Sequence, residues 1–83
     1  MSSIVIFTFD PQKFDEVLQM RKQEIACGKT KILGEWCHTK RGRIVRLIGE
    51  GDIEDVLAAY RMWSDLGKLE VFPVIDTNDL INQ

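Results

Sequence analysis

Side chains able to do chemistry are few in this sequence, and they are scattered. His38 is the only histidine, it follows Cys37, and Cys27 is the one other cysteine. Adjacent residues at a strand end point to opposite faces, so Cys37 and His38 do not readily share a metal, and the other ligands of a tetrahedral site are missing. His38 is a candidate general acid or base near neutrality; its plainer reading is a solvated histidine at a strand end. No serine stands with a histidine and a carboxylate in a spacing that marks a nucleophile. The better constellation is Glu35 with Arg46, joined by Thr8 and Glu70. A guanidinium offers planar, paired donors to an anionic or carbonyl group. The ligand-binding candidates are therefore Thr8, Glu35, His38, Arg46 and Glu70, with the catalytic residues, if the chain is an enzyme, left unassigned, and with no metal and no cofactor.

Other motifs have simpler readings. Lys40, Arg41 and Arg43 form a basic cluster that reads as a solvated turn. Gly49-Glu50-Gly51-Asp52 precedes a helix as a phosphate loop would, yet it lacks the lysine and sets two carboxylates where a phosphate would sit. It is a turn and a cap. Cys27 and Cys37 read as buried, inert thiols.

These residues must be positioned by elements that the periodicity marks out. Residues 3–9 are β-branched and aromatic without a breaker, a strand apolar on both faces. Asp10-Pro11 opens a helix over 11–27, with Phe9 and Phe14 spaced as a hydrophobic staple and Gly28 as the stop. Its stripe is Phe14, Val17, Leu18 and Ile25, with the stem of Arg21 along the edge. Residues 31–38 and 43–49 read as strands joined by a turn at 39–42. Asp52 caps a second helix with the stripe Ile53, Val56, Leu57, Tyr60 and Trp63, closed by Gly67. Residues 69–75 form a last strand, which Pro73 places at an edge or marks with a bulge. The tail, 77–83, is weakly specified. This β-α-β-β-α-β order in a single domain, 1–83, predicts an α+β fold. It is a ferredoxin-like sandwich, its antiparallel sheet in the order 4-1-3-2, with two helices on one face.

Pairing across the turn sets Leu33 opposite Ile48, Glu35 opposite Arg46, and Cys37 opposite Ile44. The other face of this hairpin, Ile32, Gly34, Trp36, Val45 and Leu47, is wholly apolar and is expected beneath the helices. The open face then carries Glu35, Cys37 and Arg46 among Leu33, Ile44 and Ile48. It is joined by Ile4, Ile6 and Thr8 from the first strand and Glu70, Phe72 and Val74 from the last. A monomer rarely exposes so large an apolar patch, and a second copy would supply burial that so short a chain lacks. There, Glu35 and Arg46 either fix strand register or line a cavity, and Glu70 also guards an edge strand.

Eleven Lys/Arg against thirteen Asp/Glu, a net charge of −2, argue against a protein built to grip phosphate backbones. The strand at 43–48 has no aromatic for stacking RNA bases. No apolar run approaches the ~20 residues of a membrane helix. Reduced cysteines without a secretory leader indicate the cytoplasm.

Four segments, Ile6-Phe7-Thr8-Phe9, Leu33-Gly34-Glu35-Trp36, Trp63-Ser64-Asp65-Leu66 and Glu70-Val71-Phe72-Pro73-Val74, span nearly the whole chain. Together they resemble a family of small uncharacterised proteins of the dimeric α/β-barrel superfamily. The resemblance implies a ferredoxin-like protomer whose sheet packs on a partner's in a two-subunit barrel. That superfamily includes cofactor-free monooxygenases, muconolactone isomerase-like enzymes and stress-responsive barrels. The resemblance transfers no catalytic set, and draws attention to Glu35 and Trp36. The expectation is a cytoplasmic homodimer that binds a small molecule in the cavity on the open sheet face, without a nucleic-acid or membrane partner. The alternative is a structural or regulatory dimerisation module with neither ligand nor catalysis.

Overall fold

The computed structural model describes residues 2–27, 31–49 and 53–81. Gly28 and Asp52, the expected helix stop and cap, lie outside the described residues, as do the side chains of Ile25, Cys27 and Ile53.

Strand β1 (Ser2–Phe9) alternates without a break: Ser3, Val5, Phe7 and Phe9 are buried, and Ile4, Ile6 and Thr8 are half-buried. The chain then turns on Asp10, whose carboxylate accepts from the Gln12 N–H at 3.0 Å. Pro11 opens a short 3-10 turn, Pro11–Lys13, that leads into α1 (Phe14–Cys27). Phe9 and Phe14 stack across that junction with centroids 6.4 Å apart, the staple that their spacing predicts.

Strands β2 (Ile32–Cys37) and β3 (Arg43–Ile48) form the hairpin, with Glu35 opposite Arg46 and Cys37 opposite Ile44. Ile32, rather than Leu33, faces Ile48, because a bulge intervenes and leaves Leu33 exposed. Helix α2 (Ile53–Ala59) ends earlier than its periodicity suggests, tightening at Tyr60 into a 3-10 turn over Arg61–Asp65. The tighter winding brings Tyr60 and Trp63 onto one side, both buried with Val56, whereas Leu57 is exposed. Gly67 is not a helix stop. It begins β4 (Gly67–Val74) and lies so close to the Thr8 carbonyl that a Cβ there would collide with it. The tail forms a short α3 (Thr77–Ile81), started by Asp76, whose carboxylate accepts from the Asn78 N–H at 2.8 Å.

All pairings are antiparallel and the sheet order is β2-β3-β1-β4, which is 4-1-3-2 read from the other edge. Pro73 lies on edge strand β4, where its missing donor costs no ladder bond. Val17 of α1 and Val56 of α2 share one core with Val5, Phe7, Ile44 and Ile48, so both helices cover the same face. Trp63 closes that core edge-on to Phe7, with centroids 5.0 Å apart. The molecule is elongated, 45 × 27 × 18 Å, with a radius of gyration of 13.5 Å, against about 12 Å for a compact chain of this length.

The faces of β2 and β3 are the reverse of those expected. Ser3, Val5 and Phe7 on the helix side of β1 stand opposite Ile48, Arg46 and Ile44. Directly opposed residues share a face, so Arg46, Ile44 and Ile48 lie beneath the helices together with Glu35 and Cys37. Val45, Leu47, Gly34 and Trp36 turn outward, and Trp36 is 59% exposed rather than covered. The assignments for β1 and β4 hold: Ile6 pairs with Glu70 and Ile4 with Phe72 on the open face.

Candidate functional site

Arg46 on the central strand β3 is 2% exposed and is the hub of a charged network beneath α1. Its Nε donates to Glu35 Oε2 at 2.6 Å, and Arg21 Nε donates to the other oxygen, Oε1, at 2.6 Å. Nη1 of Arg46 donates to Glu24 and, at 2.8 Å, to the Tyr60 hydroxyl. The second oxygen of Glu24 accepts from Trp63 Nε1 at 2.8 Å. The guanidinium also lies 5.2 Å from the centroid of the Trp63 ring and 5.6 Å from that of Tyr60. Two arginines and two glutamates thus form a neutral set that ties α1, the hairpin and the Tyr60–Trp63 segment together. Among the described residues, Nη2 of Arg46 is the one buried side-chain nitrogen or oxygen without a hydrogen-bond partner.

The electrostatics suit holding rather than proton transfer. Burial works to raise the Glu35 carboxyl, but hydrogen bonds from Arg21 and Arg46 and the charges behind them outweigh it, holding the group below its ordinary value. It therefore stays ionised at neutral pH with both oxygens engaged. Burial works to lower the Arg46 pKa, yet the Tyr60 contact and the two carboxylates leave it raised. Burial raises Tyr60, against the opposing effect of Arg46.

The expected site residues therefore separate. Glu35 and Arg46 meet, but under the helices and not on the open face. Thr8 and Glu70 do lie on the open face, on different rows of the sheet. Counted across β3, β1 and β4, that face carries Arg43, Thr8 and Lys68 in one row, then Val45, Ile6 and Glu70, then Leu47, Ile4 and Phe72. From β2, Trp36 extends the second row and Gly34 the third. The Trp36 ring lies against Gly34, where an added Cβ would come within 2.5 Å of it.

His38 and Thr8 come together at the polar end of this face, in a hollow of about 250 Å³ that Lys40 and Arg43 also line. Cys37 is exposed and lines a different hollow, beside Phe14, Leu18 and Arg21 on the helix side, so it is neither buried nor on the open face. Among the described residues no group of three His, Cys, Asp or Glu side chains is placed to hold a metal. Among the described residues no helix is long and apolar enough to cross a membrane.

Sequence reasoning missed Glu24, Tyr60 and Trp63 as partners of Arg46. A signal was present: Val17, Arg21 and Glu24 repeat at helical spacing on the stripe that faces the sheet, so two charged residues fall where apolar ones belong. Such residues are normally paired.

The architecture is that of a small α+β domain with a four-stranded antiparallel sheet and helices on one face. Its sequence matches a family model over residues 1–82, and the chain belongs to that family, DUF3303, described as a domain of unknown function. No curated protein matches it.

Proposed function

We propose that the chain is a homodimeric module whose open sheet face packs on that of a second copy, making a two-subunit barrel that encloses a small molecule. One observation carries this reading: Trp36, 59% exposed, has its ring against Gly34, on the same sheet face as Val45, Leu47, Ile4, Ile6 and Phe72. Four strands about 4.8 Å apart and some seven residues long present roughly 450 Å² in plan. Side-chain relief extends that toward the ~800 Å² per partner of an ordinary stable interface. The rim of the face carries charges of both signs, Arg43 and Lys68 with Glu70, as a surface that must complement itself requires. The free, exposed thiol of Cys37 suits a reducing compartment, so we place the dimer in the cytoplasm.

With Arg46 and Glu35 engaged beneath the helices, they are positioning residues for the sheet and no longer candidates to touch the enclosed molecule. A lysine at Trp36 tests the reading. Size-exclusion chromatography with light scattering is expected to give a dimer for the wild type and a monomer for Trp36→Lys, with equal far-ultraviolet dichroism. A wild-type monomer at all concentrations, or a dimer indifferent to Trp36→Lys and to Ile6→Glu, overturns it.

A further inference from the structure

The polar end of the open face is built in a way that folding alone does not explain. Arg43 and Lys68 flank Thr8 in a single row, and among the described residues neither they nor Lys40 makes an ion pair. Arg43 and Lys68 stand two strand spacings apart, about 10 Å, so the row holds two like charges and no counter-charge of its own. The nearest open-face carboxylate by register is Glu70, one row further along β4.

The hairpin turn holds its side of the hollow rigidly. The Lys40 N–H donates to Nδ1 of His38 at 3.0 Å, which puts the proton of the neutral ring on Nε2 and makes that atom a donor. Arg41, at the positive φ of 61°, donates its N–H to the His38 carbonyl, and its guanidinium lies over the Phe14 ring, away from the hollow. The Phe9 N–H donates to the Gly42 carbonyl at 2.9 Å, tying the turn to the end of β1. The hollow is therefore lined by a hydroxyl, an imidazole donor and two cations, Lys40 and Arg43, with Pro11 and Gly42 and no carboxylate. The row of Trp36, Val45 and Ile6 adjoins it, with Leu47 and Ile4 in the row beyond.

We infer that this end of the open face binds the carboxylate of an amphipathic organic acid, whose apolar body lies along Ile6, Val45 and Trp36. The inference rests on the proposed enclosed sheet face and names what that face encloses. Arg43 supplies the forked donors, Thr8 and His38 supply neutral ones, and the sheet supplies the apolar floor.

The test is calorimetric titration of the wild type and of Arg43→Gln with sodium octanoate, 1-octanol and inorganic phosphate, with sedimentation of the same samples. Octanoate is expected to bind the wild type more tightly than octanol does, and Arg43→Gln to weaken octanoate about tenfold or more while leaving octanol unchanged. The inference fails if octanoate does not bind, if octanol binds equally well, if Arg43→Gln has no effect, or if phosphate binds as tightly as octanoate. Displacement of octanoate by a single-stranded oligonucleotide would assign the surface to nucleic acid and overturns it as well. A dimer that ignores octanoate removes this inference alone, whereas a monomer that binds octanoate through Arg43 removes only the dimer.

Discussion

Arg46 carries a full charge into the core of a domain with little core to spare, and its partners decide whether that is tolerable. Each carboxylate it meets is also held by a second donor, Glu35 by Arg21 and Glu24 by Trp63. Removing one member of such a buried set leaves the others uncompensated, at a cost of about 3–5 kcal/mol. Arg46→Met is expected to lose stability of that size in urea unfolding, a large part of the ~5–15 kcal/mol that a domain has in total. A loss within about 0.5 kcal/mol, the size of an ordinary surface change, would show that the network is not what joins α1 to the sheet. Glu35 adds a pH dependence. Because its folded pKa lies below its ordinary value of 4.5, its contribution is complete above that pH and is lost as pH falls through the lower, folded value. Stability of the wild type is therefore expected to fall on acidification below about pH 4.5 more steeply than that of Glu35→Gln. Parallel curves from chemical denaturation would contradict the assignment.

At the scale of elements, Gly34 and Trp36 act as one unit of β2. A methyl group at Gly34 would lie 2.5 Å from the indole ring and must lift it from the sheet. Gly34→Ala is expected to weaken self-association roughly tenfold, about 1.4 kcal/mol, while leaving the urea midpoint of the monomer little changed; unchanged association would show that the ring's seat is immaterial. The sequence revealed the elements more readily than their orientation. On β1, apolar on both faces, the polar Thr8 marks the outward row that also holds Ile4 and Ile6, and on β4 Glu70 marks the row of Phe72 and Val74. The β2–β3 hairpin is mostly apolar on both faces, so its alternation does not say which face takes Glu35 and Arg46, and the open face expected for them is the wrong one. That choice is set by the pairing of Val5 with Arg46 and by partners on α1 and beyond α2, all distant in sequence. The 3-10 turn after Tyr60 escaped because Tyr60 and Trp63, three residues apart, fit α-helical spacing as well as the tighter one. Thr8 and His38 were legible as candidates; that they share one hollow depends on the turn returning to the end of β1.

For the whole molecule, the decisive feature is the imbalance between its two faces. One holds a packed aromatic core and a paired charge network, while the other leaves Trp36 and Phe72 exposed over a bare apolar sheet. A second copy laid on that face would give the sheet a second layer and close the space next to the His38 hollow. Sedimentation equilibrium of the wild type beside Ile6→Glu tests this central claim most directly, since Ile6 lies on inner strand β1 and contributes to the open face alone. The expected result is twice the protomer mass for the wild type and a single protomer mass for the variant, with the near-ultraviolet dichroism of Trp63 retained in both. A wild type that sediments as a single protomer across micromolar to millimolar concentrations would contradict the account.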